Sequence, residues 1–206
     1  MSERVVNYGR LAALFNDLEL RMLGLGENSR YRRRAVERLD VPTPARVVDV
    51  ACGTGLNFNA LEAHLGDNGR IVGVDISPQM LEGAEKRVAR HGWDNVELVN
   101  APISEFDPEA HFDGAICTLA LEAIPEYRQA IEGVFSVLKP GGKFAVIGMQ
   151  PSSRPLLKLM NPFVVAMGKL GGLDYRADII GYLRTAHEII YLKEFMGGFF
   201  YILVAQ

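Results

Sequence analysis

Cysteine is scarce. Cys52 and Cys117, the only two in 206 residues, lie too far apart for a zinc spacing and are too few for the disulfide frame of a small secreted domain. A reducing compartment and no metal ligand set are the expectation. Long apolar runs are missing too: nothing approaches the roughly 20 residues of a membrane-spanning helix. The most apolar stretch, Leu156 to Gly168, is broken by Lys158, Asn161 and Pro162, so it is expected at most along a membrane surface. Glu3, Arg4 and Arg10 stand at the N-terminus without the apolar core of an export signal. The expected location is cytoplasmic, with membrane association left open. An excess of one charge is absent as well: 22 basic against 25 acidic residues leave a net −3, no field to hold a phosphate backbone, and so no nucleic-acid partner. With 49% hydrophobic and 23% charged residues disorder is excluded, and the length suits one domain over residues 1–206. The composition leaves the oligomeric state open.

Residues 5–40 read as a helical cap, with Leu11, Leu14, Phe15, Leu18 and Met22 at helical spacing and a turn around Gly24 to Gly26. Arg30, Arg32, Arg33 and Arg34 form a basic cluster that reads either as a solvated helix face or as a patch for anionic lipid headgroups. After Pro42-Thr43-Pro44, strands and helices alternate. The pattern predicts strands at 46–50, 70–75, 96–100, 112–118 and 143–149. Helices are predicted up to Leu65 and over 77–91 and 125–138, with a Pro140-Gly141-Gly142 turn before the fifth strand. That alternation is the mark of an α/β fold, a doubly wound, Rossmann-like sheet. The tail departs from it. Beyond a helical region from Leu156 to about Ala186, strands 187–195 and 199–205 are joined by Met196-Gly197-Gly198 alone. So short a link permits only an antiparallel hairpin, and the sheet becomes mixed. The unbroken apolar run Phe199 to Ala205 suits a strand covered on both faces, inside the sheet.

In such a sheet a ligand sits beyond the carboxyl ends of the strands. After the first strand, Asp49-Val50-Ala51-Cys52-Gly53-Thr54-Gly55 offers glycines and free amide hydrogens. Asp75 ends the second strand about 20 residues on, where a carboxylate can accept from a ribose diol. Asn100-Ala101 ends the third with an acceptor and a main-chain donor suited to an adenine edge, and Ile76 and Ile103 are placed to cover its faces. The fourth ends at Thr118-Leu119-Ala120-Leu121-Glu122, where the reactive end of the ligand should fall. A dinucleotide is disfavoured, because Gly53-Thr54-Gly55 is followed by Leu56-Asn57-Phe58 without the third glycine.

With Val47-Val48-Asp49-Val50-Ala51-Cys52-Gly53-Thr54-Gly55, Gly73-Val74-Asp75-Ile76-Ser77 and Leu138-Lys139-Pro140-Gly141-Gly142-Lys143 in this order, the chain resembles the class I S-adenosylmethionine-dependent methyltransferases. The resemblance implies a seven-stranded sheet with the last strand inserted antiparallel. It also implies S-adenosyl-L-methionine as cofactor and S-adenosyl-L-homocysteine as product. The implied cofactor residues are Tyr8, Asp49, Ala51, Gly53, Thr54, Gly55, Asn57, Asp75, Ile76, Met80, Asn100, Ala101, Thr118 and Leu119. Many relatives have an aspartate at the position of Asn100; the amide oxygen still accepts.

The segment Tyr8 to Asp17 and the ending Leu192 to Tyr201 are similar to those of small quinone C-methyltransferases and bacterial phospholipid N-methyltransferases. A small hydrophobic or lipid-like acceptor is therefore expected, a quinone ring or a phospholipid amine, under the helical segment 150–186. That segment's apolar residues Leu156 to Met167 read either as a wall of the acceptor pocket or as core. Three side chains are candidate bases: Tyr8, Glu122 and His187. Water-soluble thiol, hydroxyl or amine acceptors, and a cofactor-binding protein without catalysis, are the other readings.

Overall fold

The computed structural model of the chain describes residues 24–170, 173–175 and 177–206. Tyr8 and the part of the cap before residue 24 lie outside the described residues. The described part of the cap is a turn followed by helix α1 (Arg30–Leu39), capped by the Ser29 hydroxyl, which accepts from the Tyr31 amide. Residues 24–29 form the turn leading into it, where a turn around Gly24 to Gly26 was expected.

The domain then alternates as its hydrophobic runs demand: β1 (Arg46–Val50), α2 (Phe58–Leu65), β2 (Arg70–Asp75), α3 (Pro78–His91), β3 (Val96–Asn100), β4 (Phe112–Thr118), α4 (Tyr127–Ser136) and β5 (Leu138–Met149). Helix α3 shows the local logic. Ser77 caps it, Pro78 starts it where no amide hydrogen is needed, Arg90 and His91 sit at the negative end of its dipole, and Gly92 leaves it in a left-handed conformation.

After β5 come α5 (Asn161–Leu170), α6 (Ile179–Ala186), β6 (Ile189–Phe195) and β7 (Phe200–Ala205). The seven strands form one sheet in the order β3-β2-β1-β4-β5-β7-β6. Strands β1 to β5 are parallel, and β7 lies antiparallel between β5 and β6. All six residues of β7 are buried, as expected of an inserted strand. The hairpin turn is a single 3-10 turn, with Gly197 and Gly198 both at positive φ.

One expected boundary is corrected. Helix α4 ends at Ser136, and the Pro140-Gly141-Gly142 turn lies inside β5: pairing with β4 jumps from Phe112–Leu138 to Gly114–Lys143, so the turn residues bulge out of the ladder.

The sheet separates two cores. One packs its apolar side chains against α1, α2 and α3 through residues such as Leu39, Leu61 and Leu81. The other packs against α4 and α6 through Ile131, Val134, Ile179 and Leu183. Burial of both faces accounts for the apolar character of β1, β4 and β5, and it leaves the carboxyl ends of the parallel strands as one rim where loops converge.

Candidate functional site

The glycine loop after β1 is tightly wound. The Cys52 amide donates to the Val74 carbonyl (3.1 Å), and Gly55 donates back to Cys52 (3.0 Å). A side chain at Gly55, at φ +76°, would run into the Phe58 ring, so glycine is required there by both sterics and conformation. Ala51 and Leu119, at the ends of β1 and β4, adopt φ +49° and +55°. That left-handed backbone costs a non-glycine residue about 1–2 kcal/mol, and strain of this kind clusters at ligand sites.

Asp75 ties the loop to the next strand. One carboxylate oxygen accepts from the Gly53 amide (2.8 Å) and the other from the Ser77 amide (2.8 Å). Burial pushes its pKa up, and the two amides pull it back. A carboxylate has about four acceptor positions, so two remain, the number a ribose diol needs. Beside it Asn100 donates its amide nitrogen to the Asp75 carbonyl (2.9 Å), which leaves the amide oxygen as the acceptor. Ile76 is 49% exposed, open to a flat apolar ligand, whereas Ile103 belongs to the core beneath.

Asp49 lies deeper. One of its oxygens accepts from Asn57 (2.8 Å), and the other is buried without a hydrogen-bond partner. Burial raises its pKa to about 7, against the lowering pull of Asn57 and Arg32. Asn57 in turn accepts from Arg32 Nη1 (2.6 Å) and the Thr118 hydroxyl (3.1 Å), and Arg32 Nε donates to the Leu25 carbonyl (2.7 Å). Here the basic cluster divides. Arg32 is 3% exposed and points into the site, away from the exposed Arg30, Arg33 and Arg34. Sequence reasoning missed it as a site residue, although Arg32, Ala35, Val36 and Leu39 share one helical stripe, and an arginine on an apolar stripe is a signal of a buried partner.

The donors and acceptors fit S-adenosyl-L-methionine. The buried unpartnered Asp49 oxygen calls for a donor such as an ammonium group, Arg32 brings a buried positive charge, the glycine loop permits close approach, Asp75 suits the sugar and Ile76 with Asn100 the base. Thr54 belongs to the loop through its carbonyl, which accepts from Arg87 Nε (2.7 Å), and Arg87 pairs with Glu27 ahead of α1. Met80 is buried in the first turn of α3, and Ala101 follows β3 beside Asn100.

The rim beyond β4 and β5 differs in kind. Glu122 is 4% exposed; its carboxyl accepts from the Met149 amide (2.6 Å), and burial raises its pKa to about 7. The Tyr201 hydroxyl leans on it, buried and without a hydrogen bond of good geometry. Beside this pair is a cavity of about 310 Å³ lined by Met149, Pro151, Tyr175, Ile179, Ile180 and Tyr201, with Asp178 among its polar neighbours. A larger groove of about 490 Å³ lies along the start of β3, around Trp93. It holds none of the strand-end residues and sits at the other end of that strand.

His187 is not brought to the rim. It ends α6 before β6, stacks on Phe135 with ring centroids 3.5 Å apart, and lies 3.6 Å from Glu132. Ile189 pairs with Ala205, which pairs with Phe144 early in β5, so His187 is at the opposite end of the parallel strands, and its candidacy as a base is withdrawn. The segment Leu156 to Met167 is corrected in part. Leu156, Leu159, Met160 and Phe163 point outward, and within the helical segment the cavity wall comes from Tyr175, Ala177, Asp178, Ile179 and Ile180 instead.

A family model described as a methyltransferase domain matches residues 44–182. The chain is 30% identical over 182 residues to the ubiquinone/menaquinone biosynthesis C-methyltransferase UbiE of Geobacter sp. (strain M21), covering 85% of this chain and 76% of that protein. It is 30% identical over 139 residues to a demethylmenaquinone methyltransferase of Shouchella clausii (strain KSM-K16). That match covers 66% of this chain and spans 59% of the relative's length, under two thirds of it. Among solved structures, a SAM dependent methyltransferase from Aquifex aeolicus superposes with a TM-score of 0.70 at 18% identity, over 96% of this chain and 97% of the other.

Proposed function

The chain belongs to the class I S-adenosylmethionine-dependent methyltransferases, and on that premise we propose that it methylates a small hydrophobic acceptor of the quinone-ring kind. The observation that carries the reading is the cradle itself: Asp75 holding the glycine loop while keeping acceptor capacity, beside a buried Asp49 oxygen that lacks a donor. The names of the relatives support the ring over the phospholipid amine.

When bound, S-adenosyl-L-methionine supplies a methyl group made electrophilic by positive sulfur. The chain's share is positioning. Asp49 and Arg32 present opposite charges for the amino-acid end, with Asn57 holding both in place. Asp75 orients the sugar. The left-handed turn at Leu119 carries the chain from the Thr118–Asn57 contact toward Glu122. The apolar walls of the cavity exclude water around the acceptor.

The reading includes peripheral contact with an anionic membrane, which would deliver such an acceptor. It is supported by an outward ridge of Leu156, Leu159, Met160 and Phe163 together with exposed Arg154, Lys158 and Lys169. No acidic residue occurs between 151 and 170. Each basic residue near such a surface contributes about 1 kcal/mol. Vesicles containing phosphatidylglycerol should sediment the protein and neutral vesicles should not; equal sedimentation with both, or with neither, refutes the contact.

The test of the activity is incubation with methyl-labelled cofactor and reduced demethylmenaquinone. Label entering the organic phase is the expected result. Label entering only water-soluble thiols, hydroxyls or amines overturns the ring acceptor, and cofactor binding without turnover on any acceptor overturns the enzyme reading.

A further inference from the structure

Two polar side chains on the rim have no part in the cofactor cradle. Glu122 follows β4 and Tyr201 lies on β7, far apart in sequence, yet their polar ends converge: a Cβ at Gly148 of β5 would collide with both the tyrosine oxygen and a carboxyl oxygen of Glu122. Both residues are almost wholly buried, and a buried phenol hydroxyl normally has a firm partner; that of Tyr201 has none of good geometry. Tyr201 also lines the 310 Å³ cavity, whose remaining walls are mostly apolar or aromatic, a volume within the range of small-molecule sites.

We infer that Tyr201, on the wall of this cavity, and Glu122, whose carboxyl lies behind it, form a hydroxyl-recognition site selecting a flat aromatic ligand that carries a ring hydroxyl. This deepens the reading of a ring acceptor and rests on it. The apolar walls contact the ring, while the ligand hydroxyl completes the unmet hydrogen-bonding of Tyr201 and donates toward the Glu122 carboxylate. When the ligand's O–H bond breaks, its proton is held as the O–H of Glu122, and the electron pair stays on the ligand oxygen, enriching the ring. Among the described residues the charges facing the pair are few. Cys117 on β4, Asp178 ahead of α6 and, through Cys117, Asp49 on β1 are the titratable groups around it. Among the described residues these are all acids, and burial favours the protonated form of Glu122, so its carboxylate is poised to take a proton.

The test uses the whole chain, with 1-naphthol and naphthalene as probes. Titrated by calorimetry, the wild type should bind 1-naphthol at least ten-fold more tightly than naphthalene, and Tyr201→Phe should reduce that ratio to three-fold or less. Glu122→Gln should reduce it similarly and should also abolish any naphtholate absorption of the bound probe at pH 8. Tyr201→Phe removes one oxygen and keeps the ring, so it remains a fair test if Glu122→Gln does not fold. Equal binding of the two probes by the wild type, or a ratio that survives in Tyr201→Phe, overturns the inference. Binding of S-adenosyl-L-methionine, measured separately, should be unchanged in Tyr201→Phe. Its absence from the wild type counts against the cofactor cradle and leaves the probe ratio to be judged on its own.

Discussion

The two halves of the rim handle buried polar groups in opposite ways. At the ends of β1 and β2 the polar groups are tied into one network that leaves a single Asp49 oxygen open: Asp75 is held by two backbone amides, Asp49 by Asn57, Asn57 by Arg32 and Thr118. At the ends of β4, β5 and β7 a cavity lined largely by apolar and aromatic side chains adjoins one carboxyl held by the Met149 amide and one hydroxyl without a partner of good geometry. A network in which each group is held from several sides is rigid and pre-shaped for one ligand, whereas a lone polar pair in an apolar wall selects by what it lacks. The first arrangement suits a cofactor that is always the same molecule, the second an acceptor distinguished by one functional group.

The contrast is broken most directly by Asp75→Ala. Hydrogen bonds to a charged group contribute about 1.5–3 kcal/mol each, so removing both sugar contacts should weaken S-adenosyl-L-methionine binding by a factor on the order of 100 or more in calorimetry. A loss under ten-fold removes Asp75 from the cradle. Next comes Asn57→Ala, which removes the Asn57 contacts of buried Asp49 and Arg32 together. Breaking a buried charged network costs about 3–5 kcal/mol, and the expected result is a fall of that size in urea unfolding of the ligand-free protein.

The third test uses pH. In Asp49 and Glu122 burial raises the folded-state pKa to about 7, from ordinary values of 3.8 and 4.5. The folded state therefore binds more protons than the unfolded state between those values. Stability from these groups is fully present below about pH 4 and is lost as pH rises toward 7, by up to about 1.4 kcal/mol per unit for each group. Asp40 and Asp113, whose pKa values are lowered, act with the opposite sign below that window. Unfolding at pH 5 and pH 7 should show the wild type more stable at pH 5, and Glu122→Gln should reduce the difference, the remainder coming from Asp49 with the likewise raised Asp75 and Glu62. The smallest effect is expected of Tyr201→Phe. Deleting a hydroxyl with no firm partner should change stability by less than about 1 kcal/mol, and a loss well above that would mean the hydroxyl is already satisfied in the free protein.

The same division explains what could be read before the structure. The cradle is built from contiguous stretches, Asp49 to Gly55 and Asp75 to Ser77, whose residue types state their own conformational and hydrogen-bonding needs; the antiparallel hairpin and the interior place of β7 followed from a short link and an apolar run. Arg32 escaped notice because three neighbouring arginines disguised it, although its place on the stripe with Ala35 and Val36 marked it. The cavity was legible only in part: Glu122 was marked by its place after the fourth strand, whereas Met149, Tyr175 and Tyr201 come together only through tertiary packing, and no local pattern announces them. His187 shows the converse hazard. A histidine at a strand start carries the right chemistry, and only the antiparallel direction of the hairpin reveals that it lies at the wrong end of the sheet.

The account depends most on the cradle, and equilibrium dialysis of the intact chain against methyl-labelled S-adenosyl-L-methionine tests it without any acceptor. One saturable site per chain, displaced by S-adenosyl-L-homocysteine, is the expected result. Retention that never saturates, or that the product fails to displace, would contradict it.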